Sequence, residues 1–182
     1  MRELVFLLEE ESAKVLIQGI LPRLGATLPS VRFIVFDGKQ DLMRQLERKL
    51  RAYLNPEARF IILRDKDSAD CVEVKAEIRT SCERAGKGGA TIRIACHEIE
   101  SWYLADLDAV GRAYGKELGN LQSKEKFRDP DALGNPVQEL KRLVPEYDKV
   151  SGSRALSKAL DLGNRRSRSF YHFMTAIARE AV

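Results

Sequence analysis

The sequence predicts an α/β fold: a mostly parallel four-stranded sheet with helices on both faces, followed by a C-terminal helical extension. Three observations predict it. Four short, continuous apolar runs occur at residues 3–8, 31–36, 58–64 and 90–96. Runs of that length suit strands covered on both faces. Stretches of helical periodicity separate them, which gives the alternating βαβ pattern of a parallel sheet with right-handed crossovers. After residue 97 no further strand is expected, and only helical patterns follow.

The first strand, ELVFLL, ends on Glu9-Glu10-Glu11. Between Ser12 and Leu24, Val15, Leu16, Ile20 and Leu24 recur at helical spacing, and Gly25 can cap the end. The second strand, VRFIVF, is closed by Asp37-Gly38. Residues 40–54 are amphipathic, with Leu42, Leu46, Leu50 and Tyr53 on one face, and Asn55-Pro56 stops the helix. The third strand covers 58–64. A helix is expected at 69–85, a turn at Gly86-Lys87-Gly88-Gly89, and the fourth strand at 90–96. Residues 99–114 read as one helix or two short ones. Residues 119–135 read as a polar loop marked by Asp129-Pro130 and Asn135-Pro136, and helices are expected near 136–144, 153–162 and 168–180. This divides the chain into an α/β core over 1–105 and a helical extension over 106–182, packed together as one unit.

Composition bounds the function. The chain has 182 residues, 44% of them hydrophobic, enough for a substantial core. A net charge of +4 leaves nucleic acid open as a partner. Cys71, Cys82 and Cys96 form no CxxC pair, which argues against a zinc site or a disulfide framework and for reduced thiols in a cytoplasmic protein. The opening MRELVFLLEEE lacks the apolar length and cleavage site of a signal peptide. No apolar run reaches the roughly 20 residues of a membrane span.

Ligands of open parallel sheets bind at the carboxyl ends of the strands. Acids stand there after every strand: Glu9, Glu10 and Glu11; Asp37; Asp65 and Asp67; Glu98 and Glu100. Singly these are ordinary, as helix-start acids, an N-capping turn or solvated side chains. Together they would repel one another unless a cation sits among them, and hard oxygen donors suit Mg2+ or Mn2+. His97 lies at the same edge. Arg165, Arg166 and Arg168, followed by Phe170 and Tyr171, form a basic and aromatic cluster that could track a nucleic-acid backbone. Trp102, Tyr103 and Leu104 read as core that anchors the extension. The glycine-rich turn at 86–89 lacks P-loop spacing.

A strand ending in Glu9, then Leu63-Arg64-Asp65-Lys66-Asp67 two strands later, resembles the Toprim fold of topoisomerases, bacterial primases and overcoming-lysogenization-defect nucleases. Glu10 stands where the first Toprim motif often has Gly, and Ala13 where it often has a second acid. The chain is also similar to a bacterial Toprim-like family often encoded beside AAA-type ATPases. The similarity rests on Gly38-Lys39, Glu98-Ile99-Glu100-Ser101-Trp102, Tyr147-Asp148-Lys149 and Ser169-Phe170-Tyr171-His172-Phe173. These resemblances imply a Toprim/Rossmann-like core and a one- or two-metal phosphoryl-transfer site. Asp65 and Asp67 would hold magnesium, Glu9 would bind metal or act as general acid/base, Glu100 would be a further ligand or support one, with Glu98 a weaker candidate, and Lys39 or Lys149 could meet a phosphate oxygen as a point charge. The implied role is a metal-dependent nuclease acting on nucleic acid, DNA foremost, in phage defence or DNA repair with an AAA-type ATPase partner. The alternatives are a non-catalytic accessory subunit on a degenerate Toprim fold and, ranked lowest, a small-molecule phosphatase.

Overall fold

The structure is a computed structural model and describes residues 1–25 and 27–180. Four strands, β1 (Glu3–Leu8), β2 (Ser30–Val35), β3 (Ala58–Asp65) and β4 (Thr91–Ala95), form one sheet in the order β2-β1-β3-β4. All three pairings are parallel, with Leu8 level with both Val35 and Leu63. The central strands carry the longest uninterrupted apolar runs, because only they are covered on both faces and both edges.

Side chains of β1 alternate between two cores. Val5 and Leu7 pack with α2 (Gly38–Arg51) and α3 (Cys71–Arg84) through Leu42, Leu46, Leu50, Val74, Ile78 and Cys82. Leu4, Phe6 and Leu8 pack on the other face with α1 (Glu11–Ile20). The same cluster takes in residues of α4 (Glu100–Leu104), α5 (Leu107–Tyr114), α7 (Pro136–Leu143), α8 (Lys149–Ala159) and α9 (Arg168–Ala178); α6 is the single turn Glu125–Arg128 between α5 and α7. The helical extension is thus one layer of the α/β sandwich, continuous with the core. Residues 181–182 of the expected extension lie outside the described residues. Trp102 is the anchor: it is buried, stacks near Phe170 and Phe173, and its Nε1 donates to Ser169 Oγ at 2.7 Å.

Several boundaries differ from the sequence expectation for local reasons. α1 stops at Ile20 and passes into a 3-10 turn at Leu21–Leu24 containing Pro22. Gly25 then closes it with φ 62°, the left-handed cap that glycine accepts without strain. Asp37-Gly38 closes β2 by leading directly into the next helix. Gly38, at φ 83°, starts α2, and its N–H reaches the Glu9 carbonyl at 3.0 Å. The cap of α3 is Asp70, which accepts from Val72 N and Glu73 N, so Asp65 ends β3 and the residues after it form a separate turn, closed by Ala69 N–H on the Lys66 carbonyl at 3.2 Å. The polar stretch at 119–135 winds into the short turns Gly119–Ser123, Glu125–Arg128 and Pro130–Ala132.

Candidate metal centre

The strand order reverses between β1 and β3: the chain leaves β1 toward β2 and leaves β3 toward β4. The crevice at the carboxyl ends of such a pair is where open α/β sheets place their ligands. Glu9 follows β1 directly, and its Oε2 accepts the Asp65 backbone N–H at 3.2 Å. The neighbouring loops are pinned to each other. Lys66 N–H bonds the Ala95 carbonyl at 2.9 Å and Asp67 N–H bonds the His97 carbonyl at 2.8 Å. Asp67 and His97 both adopt left-handed φ, 54° and 61°, which is uncommon off glycine.

The electrostatics are those of crowded acids in a poorly solvated site. Burial raises the Asp65 carboxyl well above its usual range; Glu9, Glu100 and Glu10 push it further, while Lys149 opposes them. Burial also raises Glu9, helped by Asp67 and Glu10 and opposed by the Asp65 N–H and Arg64. Glu100 has no solvent exposure, and burial again raises its carboxyl against Lys149 and Tyr147. Its Oε1 accepts the Tyr147 hydroxyl at 2.7 Å, and its Oε2 is buried with no partner. A buried carboxylate oxygen left unpaired carries a desolvation cost of about 1–3 kcal/mol or more.

Lysines answer part of this charge. Lys39 Nζ sits 2.8 Å from Asp67 Oδ2, and Lys149 Nζ lies 3.3 and 3.2 Å from the two oxygens of Glu10. Burial tends to lower the Lys149 ammonium, yet Glu100 and Glu10 outweigh it and raise it overall. The two lysines expected to face phosphate therefore hold acids in this structure. Among the described residues no three His, Cys, Asp or Glu side chains close into a ready ligand group. The donor set nevertheless fits a hard cation: carboxyl oxygens only, on three groups (Glu9, Asp65 and Glu100) whose ionisation burial opposes and a cation would favour, with one oxygen lacking any partner.

The chemistry-bearing residues thus fall into two groups. Glu9, Glu10, Asp65, Asp67, Glu100, Lys39 and Lys149 share the carboxyl edge. Arg165, Arg166 and Arg168 do not join them and line a separate cleft along β4. Two site residues had no assigned role in the sequence. Tyr147 donates to Glu100, with burial pushing its own hydroxyl far upward. Arg64 lies buried on β3, with its Nε 3.9 Å from Glu9 and its Nε and Nη1 without hydrogen-bond partners. A charged residue between the apolar FIIL run and Asp65, still within the strand, was the signal for Arg64.

The family described as a domain of unknown function, DUF4276, matches residues 8–178, nearly the whole chain. The chain belongs to the DUF4276 family. The matched span of this DUF4276 chain starts one residue before Glu9 and takes in both the α/β core and the helices that carry Tyr147 and Lys149. The chain is also similar to a solved structure of the C-terminal region of the OLD protein of Xanthomonas campestris pv. campestris. That likeness has a TM-score of 0.49 and 17% identity, over 97% of this chain and 96% of that one. No curated protein matches it. No helix among the described residues is long and apolar enough to cross a membrane.

Proposed function

We propose that this chain carries out Toprim-type, Mg2+- or Mn2+-dependent phosphodiester chemistry on nucleic acid. The observation that carries this reading is the meeting of Glu9 and Asp65 at the β1–β3 switch point, beside the buried, unpartnered Oε2 of Glu100. The resemblance of Glu9 and Asp65-Lys66-Asp67 to the Toprim motifs supports it. Asp65, Asp67 and Glu100 would hold the cation, with Glu9 as a further ligand or as the general acid/base. Such a cation, when bound, neutralises phosphate charge and lowers the pKa of bound water.

The chain's own groups do the rest. In the general acid/base role, Glu9, its carboxyl raised by burial, can exchange a proton with the attacking water or the leaving oxygen. Lys39 and Arg64 stand beside Glu9 and would be the cations that meet a phosphate oxygen there. Tyr147 and the pinned 65–67 loop fix carboxylate positions so that little reorganisation is needed. The setting proposed from the resemblance is phage defence or DNA repair in the cytoplasm, with an AAA-type ATPase as partner.

A second reading has its own observation. Lys39–Asp67 and Lys149–Glu10 already neutralise part of the edge, and Glu10 replaces the motif Gly. A non-catalytic accessory subunit would look the same. One experiment separates the two: supercoiled plasmid is incubated with Mn2+ or Mg2+ and wild-type protein or Asp65→Ala, with and without the partner ATPase. Nicking or linearisation by wild type alone supports catalysis. Intact plasmid in every lane, or equal cleavage by the variant, overturns it.

A further inference from the structure

An open cleft of about 900 Å³ runs along edge strand β4, between α3 and the N-terminal end of α9. Six cations from four parts of the chain line it: Lys75, Arg93, Arg128, Arg165, Arg166 and Arg168. Among the described residues none of the six has an acid within ion-pair distance, whereas Arg32, Arg44, Arg51, Arg112 and Arg142 elsewhere on the surface each have one. Their hydrogen bonds go to carbonyls, which fix direction without neutralising charge. Arg93 donates to the His172 carbonyl at 3.0 Å and Arg128 to the Ser123 carbonyl at 2.9 Å.

Two aspartates also line the cleft, but Asp131 is turned inward. Its carboxylate takes Ser167 Oγ, Ser169 Oγ and Ser169 N–H at the start of α9, at 2.7, 3.2 and 2.9 Å. Burial and the nearby Arg179 lower the Arg93 guanidinium, so an arriving anion would relieve it. The cleft also reaches the carboxyl edge of the sheet. Cys96 lines its end, and the adjoining Ala95 and His97 carbonyls hold the backbone of Lys66 and Asp67. Tyr171 is exposed beside it, with the Arg165 guanidinium 5.1 Å from its ring centroid.

We propose that this β4 cleft binds the backbone of a single-stranded nucleic acid and leads it to the acidic edge, with Tyr171 offering a ring for a base to stack on. The argument for a strand is the row of unpaired guanidinium groups on an open track, together with an exposed aromatic ring. Backbone charge and base stacking are the two terms by which single strands bind. The proposal rests on the nucleic-acid reading above for its direction, but its test needs no cation and no cleavage.

The test measures binding of a fluorescein-labelled oligo-dT by anisotropy in EDTA over a salt series. Wild type should bind, and Arg128→Ala/Arg165→Ala/Arg168→Ala should weaken binding at least tenfold at low salt. Losing three phosphate contacts should also flatten the slope of log K against log salt by about 2, at about 0.7 per contact on single strands. Arg165→Lys/Arg168→Lys should keep most of the affinity, which separates lost charge from lost fold. Tyr171→Ala should cost roughly five- to a hundredfold. Arg44→Ala/Arg48→Ala, on the basic face of α2, should change little. An equal loss in that control overturns the cleft as the site. Equal binding of duplex, with no effect of Tyr171→Ala, overturns the single-strand assignment. Displacement by poly-glutamate as readily as by oligo-dT overturns nucleic acid in favour of an acidic protein. The anisotropy is read in EDTA, where nothing is cleaved, so failure of cleavage and failure of the cleft read out separately.

Discussion

Tyr147→Phe isolates the hydroxyl that holds Glu100. The substitution keeps the ring, which lies edge-on to Tyr103 at 6.4 Å, and removes the 2.7 Å donor to Oε1. Because Oε2 already lacks a partner, the fully buried carboxylate would then accept no hydrogen bond from a side chain. Hydrogen bonds to charged groups contribute about 1.5–3 kcal/mol. For a chain of this size each kcal/mol shifts Tm by about 2–4 °C, so the variant should melt about 3–12 °C lower at pH 8. The sign with pH follows from Glu100. Burial holds its folded pKa above the unfolded value of about 4.3, so the group disfavours folding increasingly as pH rises from there toward the folded pKa. Tyr147 lowers that folded pKa, and removing its hydroxyl raises it and extends the window. Near pH 4 Glu100 is protonated in the fold, and the variant loses only a neutral hydrogen bond, about 0.5–1.5 kcal/mol. Thermal melts by circular dichroism at pH 4 and pH 8, repeated in a Glu100→Gln background, measure this. An equal loss at both pH values, or the full pH 8 loss persisting in the Glu100→Gln background, refutes the reasoning.

Asp65→Asn should raise Tm at pH 8, since a buried carboxyl with a raised pKa weakens the fold once ionised; the gain should shrink toward pH 4, and a variant less stable at pH 8 would contradict it. Millimolar Mn2+ or Mg2+ should raise the wild-type Tm by about 5–11 °C if the concentration reaches about a hundred times Kd, equivalent to about 2.7 kcal/mol, and Asp65→Asn should blunt the shift. A flat wild-type response counts against the cation site whatever the activity assay gives. Gly19→Ala should destabilise by about 1–3 kcal/mol in urea, because its Cβ would clash with the Ser157 Oγ and Cβ where α1 packs on α8. Ser157→Gly should restore part of the loss, and an unchanged midpoint for Gly19→Ala would show that the two helices separate freely.

The fold was legible because its signals are local. Each strand is a short apolar run, each helix an amphipathic period, and strand direction follows once helices alternate with strands. The boundaries that moved did so where a long-range bond outweighs local preference. Gly38 starts a helix early because its N–H reaches back to the Glu9 carbonyl. The 119–135 stretch winds into helical turns partly because Gln122 ties Leu107 N–H and the Leu104 and Phe127 carbonyls together. No period in the sequence encodes such contacts.

The site was half legible, and the missing half has one physical cause. Strand-end position identifies Glu9, Asp65 and Asp67, because a parallel sheet brings its carboxyl ends together whatever the helices do. It does not show what answers their charge. Those partners come from residues 39, 64, 147 and 149, each brought in by packing: Lys39 by the turn into α2, Arg64 by the pleat of β3, and Tyr147 and Lys149 by α8 lying on α1. The helical extension therefore does more than cover one face of the sheet. It brings Tyr147 to Glu100 and Lys149 to Glu10, and Lys149 is the cation that opposes ionisation penalties at both Asp65 and Glu100. A truncation after residue 105 would expose the apolar layer around Trp102. It would also strip Glu100 of the Tyr147 hydroxyl and Glu10 of the Lys149 ammonium. For that reason core and extension must be judged as a single chemical unit.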